Sequence, residues 1–159
     1  MSDPRDETDL RRAAMLNTAF GPVIGAALED ASVSEIMVNP DGALFIERLE
    51  EGRARQDIAM RAADVERIIR LVASQTGESC DRARPIVSAE LPATGERFEG
   101  VLPPVSVAPA FSIRKPARRA MDLADWVATD GLTRAQALIL ETAIERRENI
   151  LISGGTSSG

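Results

Sequence analysis

The chain has 159 residues, room for one ordinary domain with an appended piece. It has no His and a single Cys, which excludes His-based catalysis, His metal ligation, an internal disulfide and a Cys-rich zinc site. A net charge of −6 argues against a general nucleic-acid binder, so no direct nucleic-acid partner is expected.

Residues 7–19 read as a polar helix. Gly21-Pro22 interrupts it, and Pro22 suits the first position of a new helix carrying Val23, Ile24, Ala27 and Leu28. Residues 35–39 form a short predicted strand. Asn39-Pro40-Asp41-Gly42 is a turn, with Pro presetting φ and Gly accepting a left-handed conformation. Pro40, Asp41 and Gly42 are assigned to that geometry and not to chemistry. Residues 43–49 alternate and form the partner strand, and 53–60 a third.

The clearest helix spans 63–76, with Val65, Ile68, Ile69 and Val72 on one stripe, Asp64 in its first turn and Gly77 as its C-terminal cap. Cys80 reads as a small apolar side chain in a reducing compartment. Strands follow over 85–91, 97–102 and 110–114, punctuated by Pro and Gly. Between Cys80 and Ala120 seven basic residues face four acidic ones, net +3, which leaves −9 elsewhere. That contrast fits a focused anionic partner such as a phosphate group, or an ordinary solvated surface with ion pairs.

Residues 115–121 are basic, contain Pro116 and read as a linker or exposed loop. A short helix spans 122–128, with Trp126 as a packing residue. Thr133 and Gln136 form a capping box opening a longer helix, whose less polar face is Ala135, Leu138, Ile139, Thr142 and Ala143. The apolar run Asn149-Ile150-Leu151-Ile152-Ser153 has the density of a strand buried on both faces, as in a parallel sheet. Gly154, Gly155, Thr156, Ser157, Ser158 and Gly159 follow it and match the first six positions of G-x-x-x-x-G-K-[ST], whose backbone N–H groups cradle phosphates. A flexible Gly/Ser tail is the other reading. The expected fold class is α+β: an N-terminal antiparallel sheet flanked by helices. The expected divisions are a charged tail over 1–14, a domain over 15–115, a linker over 116–131 and a further piece over 132–159. The N-terminus lacks the apolar stretch of a signal peptide, and no run approaches the length of a membrane span, so a cytoplasmic protein is expected.

The ordered set Ser34-Glu35-Ile36-Met37-Val38-Asn39-Pro40-Asp41-Gly42, Cys80-Asp81-Arg82-Ala83-Arg84-Pro85, Gly95-Glu96-Arg97-Phe98-Glu99-Gly100 with Pro103-Pro104, Ser112-Ile113-Arg114-Lys115 and Asn149 to Thr156 resembles the TrbB-type conjugal-transfer ATPases of the type IV secretion and traffic ATPase family. The resemblance runs from about Met15 to Gly159. It implies that residues 132–159 are the first helix and strand of a RecA-like P-loop ATPase domain. It further implies a hexameric ring, ATP and Mg²⁺ as cofactors in the intact protein, secretion or conjugation apparatus proteins as partners, and peripheral association with the cytoplasmic face of the inner membrane. Nucleotide would sit between the two domains, with Arg97 and Arg114 reaching its terminal phosphates. Either arginine could instead sit in a structural ion pair with Glu96 or Glu99. Arg84 and Lys115 are weaker candidates. The chain ends before the P-loop lysine, and no metal ligand or catalytic residue is assigned in it. It is therefore expected not to hydrolyse ATP alone, and its 149–153 strand is expected to be frayed. The alternative function is a stand-alone oligomerisation or regulatory module without ATPase activity.

Overall fold

The computed structural model describes residues 4–92, 94–116 and 121–154, with side chains described at residue 11 and from 13 onward. The chain divides into two compact units, residues 1–118 and 119–159.

The first unit is α+β. Its elements in chain order are α1 (Pro4–Glu29), β1 (Val33–Val38), β2 (Ala43–Arg48), β3 (Gly52–Ala59), α2 (Ala62–Gln75), β4 (Ile86–Glu90), β5 (Arg97–Val101) and β6 (Ala110–Arg114). All six strands lie in one sheet of order β3-β2-β1-β6-β5-β4, and every pairing is antiparallel. Two three-stranded meanders are thus joined edge to edge through β1 and β6. α2 connects them in sequence.

Alternation along the strands explains which face is buried. Ile36 and Val38 of β1, Leu44 and Ile46 of β2, Phe98 of β5 and Phe111 and Ile113 of β6 turn to one side and are buried. Against them pack Val65, Ile68, Ile69, Val72 and Ala73 of α2, with Leu16, Phe20, Ile24 and Ala27 of α1. The stripe read from the sequence of α2 is the stripe that is buried. Phe98 and Phe111 stack at 5.3 Å between centroids, which supplies aromatic packing in a chain otherwise dependent on aliphatic side chains. Cys80 joins this core, and its burial pushes the thiol pKa up.

The helix break expected at Gly21-Pro22 is present. Gly21 is non-helical, at φ 75° and ψ 177°, so α1 is two helical segments meeting at that residue. The first segment starts at Pro4, earlier than the sequence indicated. β1 also begins earlier, at Val33, because a register shift between Val33 and Glu35 lets the strand continue through an irregular step.

The turn between β1 and β2 closes with the Gly42 N–H donating to the Asn39 carbonyl at 2.9 Å, while the Asp41 carboxylate accepts from the Ala43 N–H at 3.0 Å. The Met60 N–H donates to the Gly42 carbonyl at 2.8 Å, tying the end of β3 to this turn. Gly42 has φ 81°, and a Cβ there would lie 2.4 Å from the Met60 carbonyl oxygen.

The second unit holds α3 (Leu123–Ala128) and α4 (Arg134–Glu145). Both open with capping boxes, Asp122 with Asp125 and Thr133 with Gln136. Trp126 packs on the loop between them. Its carbonyl accepts from Gly131 and Leu132, and its ring lies against Gly131. In α4 only Ala137 is buried, while Leu138 and Ile139 of its less polar face are exposed. The run 149–153, expected to be a frayed strand, is irregular. A strand buried on both faces needs hydrogen-bonded neighbours, and among the described residues none pairs with this run. Leu151 and Ile152 are instead 93% and 88% exposed.

Gly42→Ala should destabilise the first unit by about 2 kcal/mol or more, because it combines a left-handed backbone with a clash at Met60. Gly52→Ala should cost about 1 kcal/mol, since Gly52 has φ 73° but open space around it. Urea denaturation of the two variants measures the difference, and equal losses would rule out the clash.

Candidate functional site

The face of the sheet opposite the core is polar. At one end of β4, β5 and β6 runs a row of directly opposed residues: Glu90 on β4, Arg97 on β5, Arg114 on β6 and Glu35 on β1. Two positions along each strand, a second row sets Ser88, Glu99, Ser112 and Met37 side by side. All of these residues except Met37 line a shallow depression of about 510 Å³.

At its centre Arg97 and Arg114 are partners in register. Like charges directly opposite in an antiparallel pair are destabilising by a few tenths to about 1 kcal/mol. Some other arginines in the chain are neutralised, among them Arg53 by Glu47 at 3.1 Å, Arg61 by Asp64 at 2.8 Å and Arg70 by Glu66 at 2.8 Å. Among the described residues neither Arg97 nor Arg114 makes an ion pair, although Glu35, Glu90 and Glu99 share the depression. The ion pairs with Glu96 or Glu99 weighed from the sequence are absent. Glu96 is buried on the core side of the sheet, the side opposite Arg97.

The structure does not bring the two weaker candidates to this place. The Arg84 guanidinium donates to the Ser79 hydroxyl in the loop after α2. The Arg84 and Ala83 N–H groups donate to Asp81, and these bonds, more than the nearby arginine charges, hold the Asp81 carboxyl below its usual range.

Lys115 turns the other way. Its Nζ donates to the carbonyls of Ala27 at 3.2 Å, Leu28 at 2.6 Å and Asp30 at 2.6 Å. A lysine there satisfies the orphan carbonyls and the negative dipole at the end of α1. It is a half-buried structural clamp where an exposed loop residue was expected. Alternation explains the difference: Arg114 faces the polar side, so the next residue faces α1. Below the clamp the Asp30 carboxylate accepts from the Ser32 N–H at 2.9 Å and the Ser32 hydroxyl at 2.8 Å. These bonds, with smaller help from Arg48, keep its pKa low.

Of the terminal glycine motif, Gly154 is exposed and irregular, while Gly155, Thr156, Ser157, Ser158 and Gly159 lie outside the described residues. Among the described residues no group of three Asp, Glu or Cys side chains could hold a metal ion, so a Mg²⁺ ligand set does not fit them. Nor is any helix long and apolar enough to cross a membrane. Sequence reasoning missed the neighbours Glu35, Ser88 and Glu90, which the i, i+2 spacing of each strand could have placed beside the arginines.

No family model matches the sequence. Curated proteins do. The conjugal transfer protein TrbB of Rhizobium radiobacter is 48% identical over 149 residues, 94% of this chain and 46% of that protein. A probable TrbB of Sinorhizobium fredii is 47% identical over the same shares.

This chain belongs to the TrbB-type family of conjugal-transfer and type IV secretion proteins.

The TrbB-type chain spans about half the length of the curated TrbB relatives it matches. The type IV secretion system protein VirB11 of Brucella suis is 33% identical over 126 residues, 76% of this chain and 34% of that one. The crystal structure of the VirB11 ATPase from the Brucella suis system, in complex with sulphate, shares the fold. Its TM-score is 0.66 at 24% identity, covering 89% of this chain and 46% of that one.

Lys115→Met should cost the TrbB-type chain about 2 kcal/mol in thermal or urea unfolding, through the lost bonds to the end of α1. Any anion that the Arg97–Arg114 depression takes should be held equally well by this variant. Loss of anion affinity in a folded K115M protein would contradict this assignment.

Proposed function

We propose that this chain is the N-terminal part of an ATP-driven subunit of a conjugal-transfer or type IV secretion apparatus, with Arg97 and Arg114 gripping the terminal phosphates of the nucleotide. The observation that carries this reading is the opposed pair itself. Two guanidinium groups in register, neither held in an ion pair although Glu90 and Glu35 lie opposite them, gain from an anion that both can reach. A guanidinium stays charged and donates in a fork that matches phosphate oxygens. The Ser88 and Ser112 hydroxyls beside them can donate further bonds to the same anion.

The relatives support the setting. Curated TrbB proteins act in conjugal transfer by name, and the VirB11 of similar fold is an ATPase crystallised with sulphate, an oxyanion like phosphate. In the intact protein we place ATP and Mg²⁺ with the terminal glycine loop and the residues that follow such a loop. Mg²⁺, when bound, would neutralise charge on the phosphates. The residues described here bind and orient the γ-phosphate end, and Glu35 and Glu90 flank the pair so that the empty site does not repel itself further. Assembly into a hexameric ring at the cytoplasmic face of the inner membrane belongs to the same proposal.

Titration of the chain with ATP, ADP and pyrophosphate tests the grip. Arg97→Ala and Arg114→Ala should each weaken ATP or pyrophosphate binding roughly tenfold or more, with Arg→Lys recovering part of the loss. Secondary structure should be unchanged, because both side chains are exposed. Saturable binding that is indifferent to both substitutions, or no binding at all, would defeat the proposal.

A further inference from the structure

A second depression, of about 680 Å³, lies on the helix side of the first unit, between the break in α1 and the turn from β4 to β5. One wall is apolar, made by Leu16, Phe20, Pro22 and Leu91. Glu96 lines it as well. That residue is 5% exposed, and its Oε2 is buried with no hydrogen-bond partner. An unsatisfied buried carboxylate oxygen costs several kcal/mol if it stays charged, so such groups are rare and call for a counterpart.

Glu29, at the end of α1, lines the same depression. Among the described residues no Lys or Arg side chain lines it. The lining offers the Glu96 carboxylate and an apolar floor.

We infer that this groove receives an arginine or lysine side chain from a partner polypeptide, its alkyl stem on the Leu16, Phe20 and Leu91 wall and its charged head on Glu96. Stem and head match the two halves of the lining. A divalent metal fits less well, because it takes six or more oxygen ligands and no group of three such side chains is present among the described residues. The groove faces away from Arg97 and Arg114, so this inference stands apart from the nucleotide reading.

Two substitutions and one probe test it. Gly25 sits on the groove wall, and a Cβ built there meets no atom of another element within 4 Å, so the helix accepts a side chain at this position and Gly25→Leu should occupy the groove. The probe is a capped Ala-Arg-Ala peptide, with the neutral Ala-citrulline-Ala peptide as its control. Backbone amide NMR signals of Gly21, Gly25 and Glu96 should shift with the arginine peptide and not with the citrulline peptide. Glu96→Gln should weaken the binding roughly tenfold or more, and Gly25→Leu should abolish it while unfolding normally. Several results would overturn the inference: no shift with the arginine peptide, equal binding by the citrulline peptide or by either variant, or a response of these signals to Ca²⁺ or Mg²⁺ in place of arginine.

Discussion

The pairing of β1 with β6 is the constraint on which the rest depends. These strands are separated by α2 and by both outer meanders, yet Glu35 to Val38 meets Phe111 to Arg114 in continuous antiparallel register. That seam turns two small hairpin systems into one six-stranded sheet with one dry face. It decides which side every residue near the end of β6 takes. Ile113 goes into the core, Arg114 goes to the polar face beside Glu35, and Lys115 reaches the end of α1. A slip of one residue would exchange these roles, because the side-chain period of a strand is two.

The same alternation sorts the charges of the motif Gly95-Glu96-Arg97-Phe98-Glu99-Gly100. Arg97 and Glu99 stand on the polar face, while Glu96 and Phe98 go to the helix side. β5 and the residue that leads into it therefore serve two surfaces: an arginine pair on the polar face and a buried acid on the helix side. The chain is acidic overall, so the concentration of positive charge at Arg97 and Arg114 comes from register and not from composition.

Much of the first unit was legible because its signals are local. The stripe of α2, the Asn39–Gly42 turn and the break at Gly21 each follow from a residue type at a fixed spacing, and each is present. The Thr133–Gln136 capping box of the second unit is local as well. Non-local pairing was less legible. The strands of β4, β5 and β6 could be placed to within a residue or two, but their order beside β1 depends on contacts far apart in sequence. Lys115 was misplaced because its neighbourhood is basic and contains proline, which reads as exposed. Only the register of β6 turns it toward α1. The run at 149–153 has the hydrophobicity of a strand and no neighbour among the described residues, so density alone did not make it one. Resemblance, not physics, pointed to Arg97 and Arg114. The structure then added what resemblance could not, that the two stand opposite one another and that neither is held in an ion pair among the described residues.

The most direct test of the central claim follows the side-chain Nε–H signals of isotope-labelled arginine as pyrophosphate is added. The account requires the Arg97 and Arg114 signals to shift together along one binding curve, with Arg84 unmoved. Independent curves for the two, a response at Arg84 alone, or no response at either would contradict a shared anion held across the β5–β6 pair.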